Sequence, residues 1–232
     1  MVTPNLIVSI SGLPKSGKTH LSFTFPDPIR VFSFDRGYKE VRAKFPNKQI
    51  DCAEYDLPIV DSLELRDTGF PEIWKRIRDD IREAISGGVY KTIVIDTASS
   101  LWEIIRYAFN ESENRAIGTG GKARNYGEPN ARMSSIFARA QLAGINLVLI
   151  QYLKDRWVSD ENTGEKELDG WRRTEGLADV VLEIRQGTQL IKGKTKNANI
   201  TLIKGNRYDR DLNGQELTDA TYQDLLAVLG VG

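Results

Sequence analysis

The residues best suited to chemistry form one short segment near the amino terminus, in which two glycines, a lysine and a threonine stand at fixed spacing. The segment fits the pattern G-x-x-x-x-G-K-[ST] and follows an apolar, β-branched run at residues 6–10. It consists of Gly12, Leu13, Pro14, Lys15, Ser16, Gly17, Lys18 and Thr19. A strand that ends in such a segment and runs into a helix forms a concave phosphate site, because backbone N–H groups and the helix N-terminus point inward.

Each residue type in this segment has a chemical reason to be there. The glycines allow backbone angles and a close approach that a Cβ atom would prevent. Lys18 is expected to reach the β- and γ-phosphates of a nucleoside triphosphate, and the hydroxyl of Thr19 to coordinate Mg²⁺. His20 follows directly and is counted with the nucleotide-contacting residues, as a packing residue rather than a catalyst. The alternative is an incidental glycine–lysine turn.

Polar side chains also stand at the ends of three further apolar runs. Asp96 ends the run at residues 92–95 and is expected to hold Mg²⁺ through water; otherwise it caps the following helix. Gln151 ends a later run, where an amide either senses the γ-phosphate or simply bonds the backbone of the next loop. Asp35 ends the second run and is the candidate to orient the attacking water, with Glu40 a weaker one.

Composition excludes several classes of protein. The 232 residues carry 32 Lys and Arg against 32 Asp and Glu, which excludes a strongly basic nucleic-acid coat protein but not a local basic patch. One cysteine and one histidine exclude an intramolecular disulfide framework and a histidine-based zinc cluster. Because no apolar run approaches the ~20 residues of a membrane span and no secretory signal is visible, we expect a soluble cytoplasmic protein without a membrane partner, in the host cytoplasm if viral.

Short apolar runs alternate with helical patterns through about residue 151. Strands are predicted at residues 6–10, 31–34, 92–96, 146–151, 179–184, 189–192 and 199–203, with room for one short strand within 45–68. Helices are predicted at 19–25, 71–85, 101–109, 131–143 and 222–229, and polar loops at 110–129 and 152–175. This order predicts an α/β fold with a mostly parallel central sheet, flanking helices and C-terminal antiparallel hairpin strands, in a single domain over residues 1–232.

These pieces, in this order, resemble a RecA-like P-loop ATPase core over about residues 5–210. The matching segments are residues 12–19, 34–35, 92–96, 149–151 and 203–207. More narrowly, the chain is similar to phage nucleotide-binding proteins of the Sak-type single-strand annealing class, which carry an AAA domain. The resemblance implies ATP and Mg²⁺ as cofactors, ATP hydrolysis, binding of single-stranded DNA in recombination or annealing, and a homo-oligomeric ring or filament with nucleotide at the subunit interfaces.

The resemblance also implies a role for two cations on a late strand. Lys204 and Arg207 occupy a segment by which RecA-like proteins reach across a subunit boundary, so they are expected to act on a neighbour's γ-phosphate. One departure from the family pattern concerns the water. Where RecA-like enzymes usually carry a catalytic glutamate, this chain has Gly37, so either turnover is slow or Asp35 or Glu40 substitutes.

Two polar stretches correspond to the DNA-contacting loops of the family. The expected DNA-binding residues are Lys122, Arg124, Lys154, Arg156, Arg172 and Arg173. Cations follow phosphates while neighbouring aromatic rings stack on bases, but the acidic residues of the second stretch largely cancel its charge, and a solvated flexible loop is the alternative. Residues 185–210 are more basic and would line a DNA channel, meet a neighbour's nucleotide or form a solvated hairpin face.

Other functions remain open at this stage. Zero net charge and Gly37 also suit a nucleotide-dependent switch, loader or assembly factor that acts on a protein partner without binding DNA. A small-molecule kinase is disfavoured because no arginine-rich lid is evident. A phage single-strand binding protein is a further expected partner, and the absence of an NKxD guanine-reading segment favours ATP over GTP.

Overall fold

A computed structural model of the chain describes residues 5–120, 123–191 and 193–231. The strands are β1 (Ile7–Gly12), β2 (Ile29–Ser33), β3 (Ile50–Glu54), β4 (Thr92–Asp96), β5 (Asn146–Val158), β6 (Glu161–Asp169), β7 (Val180–Ile191), β8 (Lys194–Asn206) and β9 (Glu216–Thr218). The α-helices are α1 (Lys18–Ser22), α2 (Lys39–Arg42), α3 (Phe70–Ser86), α4 (Ala98–Ser112), α5 (Gly127–Ala143), α6 (Thr174–Leu177) and α7 (Tyr222–Leu229). Short 3₁₀ helices span Ala123–Tyr126 and Arg210–Leu212.

The strands form one sheet in the order β3-β2-β4-β5-β1-β7-β8-β9, with β6 paired to the outer part of β5. Every pairing from β3 to β7 is parallel, whereas β7, β8 and β9 are antiparallel neighbours. The predicted α/β class, with a mostly parallel sheet and C-terminal hairpin strands, is therefore confirmed. Strand β4 is separated from β1 by β5.

Helices cover both faces of the sheet, which explains why the central strands are apolar on both sides. Along β4, Ile93 and Ile95 pack into a core that also contains residues of α3, α4 and α5. Val94 points to the opposite face, into a core shared with α1 and α7. The helical spacing of Trp74, Ile77 and Ile81 places one apolar face of α3 against the sheet.

Two regions depart from the predicted elements. Residues 152–169, expected to be part of a loop, form a hairpin instead. Residues 152–158 continue β5 and pair antiparallel with β6, from Tyr152 opposite Asp169 to Val158 opposite Glu161. It was missed because most of this hairpin is exposed, so no apolar alternation marks it. Residues 189–191 of the strand expected at 189–192 belong to the longer β7, and Lys192 lies outside the described residues. The strand expected at 199–203 is part of β8, and α5 begins at Gly127, within the expected loop 110–129.

The topology brings the polar strand ends to one edge of the sheet. Ser33 pairs with Asp96, Asp96 with Ile150, and Gln151 with Ser11, so these residues lie in adjacent rows. Strands β5 and β7 flank β1 on either side, and both continue past this edge as hairpins. Among the described residues, no helix is both long and apolar enough to span a bilayer.

Candidate nucleotide-binding site

The loop after β1 takes a backbone path that only glycine fits at two points. Gly12 has φ of 153°, and a Cβ there would lie 2.3 Å from the carbonyl oxygen of Ile184. Gly17 has φ of 99°, and a Cβ there would lie 2.8 Å from side-chain atoms of Asn199. The loop is therefore held closely between α1 and the β7–β8 hairpin, and Gln186 Nε2 adds a hydrogen bond to the carbonyl oxygen of Lys15 at 3.1 Å.

Lys18 points back over this loop. Its Nζ donates hydrogen bonds to the carbonyl oxygens of Gly12 and Leu13, both at 2.8 Å. Burial lowers the pKa of Lys18, while the charges of Asp96 and Asp35 oppose that shift. The ammonium is thus bound by backbone oxygens that phosphate oxygens can replace.

A buried hydroxyl in the same loop tests whether a polyphosphate would fit. Ser16 Oγ is buried, and it has no hydrogen-bond partner within the part of the chain that the structure describes. An unpaired buried donor is unfavourable unless a ligand completes it. Together, these donors fit a polyphosphate: the Ser16 hydroxyl, the Lys18 ammonium and the loop amides. Pro14 and Lys15 line the cavity that lies beside the loop.

The predicted magnesium ligands are in direct contact. Thr19 Oγ1 donates a hydrogen bond to Asp96 Oδ2 at 2.9 Å, and Asp96 is 2 % exposed. Burial raises the pKa of Asp96 to about 7; the charge of Asp35 adds to this, and Thr19 and Lys18 oppose it. Thr97, not Asp96, caps α4, because its side chain accepts a hydrogen bond from the backbone N–H of Ser100.

A hydroxyl and a carboxylate are hard oxygen ligands of the kind Mg²⁺ prefers. Within the described ranges no cluster of three or more His, Cys, Asp or Glu could hold a metal alone. A cation held by Thr19 and Asp96 would therefore need further ligands from phosphate and water, which is the usual way Mg²⁺ binds beside a nucleotide.

Asp35 and Glu40 both line the cavity beside the loop, which has a volume of about 870 Å³. Asp35 Oδ1 accepts the backbone N–H of Gly37 at 2.9 Å, and Oδ2 accepts the hydroxyl of Tyr152 at 2.7 Å. Burial and the bond to Asp35 raise the pKa of the Tyr152 phenol, so it remains a donor. Gly37 supplies no side chain at the place where the family pattern has a glutamate.

Gln151 lies beneath this cavity rather than on its wall. It is 0 % exposed, and its Oε1 accepts a hydrogen bond from Ser9 Oγ at 3.0 Å. Of the described residues, the cavity wall includes the next one, Tyr152, instead. Sequence reasoning missed Tyr152 and Asn199, since neither belongs to a contiguous motif; the only available signal for Tyr152 was an aromatic ring directly after a polar strand end.

His20 lines the cavity from α1, and its ring packs against Phe45 with centroids 5.0 Å apart. Burial lowers the pKa of His20, and Lys44 adds to that shift while Asp219 opposes it. The imidazole of His20 is therefore uncharged at neutral pH where it lines the cavity.

The two cations expected to act across a subunit boundary lie outside this cavity. Lys204 Nζ is 3.0 Å from Glu183 Oε2. Arg207 is 3.5 Å from Asp179 Oδ1, and Asp179 also accepts the backbone N–H of Ile7, at the end of β1 opposite the loop. Neither cation lines the cavity of its own subunit, and their role between subunits stays a prediction.

The expected DNA-contacting residues belong to separate segments of the chain. Lys154 is paired with Glu167 and Asp169, and Arg156 with Glu165, all within the β5–β6 hairpin. Arg172 and Arg173 are exposed next to α6. Lys122 lies outside the described residues, and for Arg124 only the backbone is described, as part of a 3₁₀ helix. Of the four whose side chains are described, Lys154 and Arg156 thus lie on the β5–β6 hairpin, and Arg172 and Arg173 lie beside α6.

Comparison with known proteins agrees with the geometry of the loop. A family model described as an AAA domain matches residues 5–209. A search of curated proteins finds no match. The family match covers the loop after β1, Asp96 and the β5–β6 and β7–β8 hairpins, while the narrower likeness to Sak-type phage proteins stays a prediction. The chain therefore belongs to the AAA-domain family of P-loop ATPases.

Proposed function

We propose that the chain binds ATP with Mg²⁺ in the loop after β1 and hydrolyses it as a RecA-like ATPase acting on single-stranded DNA. The observation that carries the ATP site is the meeting of Lys18, the unpartnered Ser16 hydroxyl and the Thr19–Asp96 pair at one sheet edge. Membership of the AAA-domain family supports the same chemistry.

Each residue of this site then has a defined task. Lys18 exchanges backbone oxygens for the β- and γ-phosphate oxygens, and its charge is worth most where water is excluded. Thr19 and Asp96 hold Mg²⁺, which neutralises phosphate charge when bound. Asp35 orients the attacking water. A carboxylate has about four lone-pair sites, Gly37 and Tyr152 use two of them, and the others can accept hydrogen bonds from the water. Asp35 thereby substitutes for the glutamate that the family pattern has at the position of Gly37.

Hydrolysis by an oligomer requires charges from a second copy. Lys204 and Arg207, which do not line the cavity of their own subunit, would stabilise the transferring phosphate of a neighbouring subunit. A mixing experiment tests this role. Lys18→Ala subunits retain the two cations, and Lys204→Ala or Arg207→Ala subunits retain the loop, so mixed interfaces should regain part of the ATPase rate. Arg78→Ala, which removes an ion-paired cation on α3, is the matched control and should be active alone.

DNA binding is tested through the ATPase rate and its salt dependence. We expect single-stranded DNA to stimulate hydrolysis severalfold and to bind more weakly as salt rises, because cations on the protein displace counterions from phosphates. Lys154 and Arg156 must exchange exposed acidic partners for DNA, which costs little since exposed ion pairs contribute only ~0–1 kcal/mol. Absence of both stimulation and salt-sensitive binding would refute the DNA role while leaving the ATP site intact.

A second candidate is a nucleotide-dependent switch that acts on a protein partner. The β5–β6 hairpin favours it, since residues 152–169 carry three Lys and Arg against six Asp and Glu. Its tip presents Trp157, 61 % exposed, and Val158, 50 % exposed. An acidic hairpin with an apolar tip suits a protein surface better than a phosphate backbone. An ATPase rate unaffected by DNA, together with nucleotide-dependent binding to a purified single-strand binding protein or loader target, would support this candidate.

A further inference from the structure

Tyr152 occupies the point at which β5 leaves the core and enters the β5–β6 hairpin. The preceding residue, Gln151, is fully buried, whereas Tyr152 lines the cavity above the loop after β1. Its ring lies 5.5 Å from Lys18 Nζ, and its hydroxyl donates to Asp35 Oδ2 at 2.7 Å. One side chain thus connects the hairpin to both the phosphate-binding lysine and the candidate water-orienting carboxylate.

One serine binds both strands at the base of the hairpin, which is the first residue pair, Tyr152 and Asp169. Ser99 Oγ accepts the backbone N–H of Tyr152 at 3.1 Å and donates to the carbonyl oxygen of Asp169 at 2.6 Å. It therefore holds both strands of the hairpin at their first residue pair, three positions after Asp96. Gly170 follows with φ of 126°, and a Cβ there would lie 3.2 Å from Ser99 Cα, so the base packs tightly against the start of α4.

Through Tyr152, these contacts connect the first residue pair of the hairpin to the group that Lys18 binds. The ammonium now lies between two backbone oxygens and the Tyr152 ring. A terminal phosphate that draws the ammonium away from the ring would weaken the cation–π contact, while the Tyr152 side chain keeps its hydrogen bond to Asp35 and its backbone N–H keeps the bond to Ser99. Gln151 does not line the cavity: its Oε1 accepts the Ser9 hydroxyl, and its buried Nε2 has no hydrogen-bond partner among the described residues.

We propose that Tyr152 is a positioning residue that orients Asp35 and couples the terminal phosphate at Lys18 to the β5–β6 hairpin, with Ser99 as the fixed pivot. The proposal rests on the proposed ATP site. The hairpin tip, with exposed Trp157, is then the surface whose position depends on whether a di- or a triphosphate is bound.

The test uses the full chain and measures amide hydrogen exchange over residues 153–168 with Mg·ADP or with Mg²⁺ and a non-hydrolysable ATP analogue. We expect the hairpin amides to exchange differently with the two nucleotides. Tyr152→Leu, which removes the ring beside Lys18, should abolish that difference. Tyr152→Phe, which removes only the hydroxyl, should lower kcat roughly tenfold, the size expected for one lost hydrogen bond to a charged group, with nucleotide Kd within about twofold. Tyr90→Phe is the control, because it removes a similar bond to Asp51 outside the cavity.

A double-mutant comparison separates positioning from a general structural effect. If Tyr152 acts through Asp35, Tyr152→Phe should lower kcat little further in an Asp35→Ala background, whereas independent effects would multiply. Identical hairpin exchange with both nucleotides in the wild type, a Tyr152→Leu variant that keeps the wild-type difference, or a Tyr152→Phe variant with unchanged kcat would overturn the inference although nucleotide binds. A wild-type chain that binds neither nucleotide would instead refute the ATP site, and the inference would fall with it.

Discussion

The burial of Asp96 predicts that this residue, the proposed magnesium ligand, opposes folding in the metal-free protein. Its carboxylate is 2 % exposed and accepts one hydrogen bond, from Thr19. Burial, with the nearby charge of Asp35, raises its pKa from 3.8 to about 7. The folded protein therefore binds the proton more tightly than the unfolded chain, and the stability of the metal-free protein should fall as the pH rises from about 4 to about 7.

The size of this effect follows from the shift. Each pKa unit corresponds to ~1.4 kcal/mol, so the shift of Asp96 sets an upper limit of roughly 4 kcal/mol above pH 7. Asn has the same shape without the charge, but its amide N–H groups need acceptors of their own. We therefore expect Asp96→Asn to raise the free energy of unfolding by about 2 kcal/mol at pH 8, with a smaller gain at pH 5.

Urea denaturation with EDTA and without nucleotide, at pH 5 and pH 8, measures this gain. The control is Asp67→Asn, which removes the same charge from an exposed position and should change stability little. The same Asp96→Asn protein should require far more Mg²⁺ for nucleotide binding. A variant that is destabilised equally at both pH values, or that keeps the wild-type Mg²⁺ requirement, would refute this reasoning.

Two further predictions concern the framework around the site. Gly12→Ala should destabilise the chain by about 1–3 kcal/mol and prevent nucleotide binding, because the new Cβ meets the Ile184 carbonyl; urea denaturation and calorimetry measure both. Burial of the Glu111 carboxyl is outweighed by hydrogen bonds from Gly69, Thr68 and Phe70, which hold its pKa below the usual value. Glu111→Ala should therefore cost about 1–3 kcal/mol at pH 7 and progressively less as the pH falls below about 4.5, as seen by urea denaturation.

The central sheet and α3 were predictable because their sequence patterns reflect burial. Strand β4 is apolar on both faces, and Trp74, Ile77 and Ile81 repeat at helical spacing. The β5–β6 hairpin was not, since its side chains face solvent and its pairing is between backbone groups. Exposed hairpins leave little trace in hydrophobic periodicity.

The residues of the candidate site also fall into two groups, those that the sequence predicts and those that only tertiary contacts reveal. The loop residues and Asp96 could be predicted because a strand end and a contiguous motif define them. Tyr152 meets Asp35 across 117 positions of chain, and Asn199 reaches Gly17 only through the sheet order, so these contacts depend on tertiary structure. The roles proposed for Lys204 and Arg207 require a second copy, which the sequence of one chain does not specify.

The most direct test of the ATP site is calorimetric titration of the chain with Mg·ATP. The wild type should bind one nucleotide per chain, and Lys18→Ala should lose binding, because Lys18 is the ammonium at the loop. Lys48→Ala is the matched control: its Nζ also donates to two backbone carbonyls, those of Thr24 and Phe25, but away from the cavity, so it should bind as the wild type does. A wild-type chain that gives no binding heat, or a Lys18→Ala variant with wild-type affinity, would contradict the account.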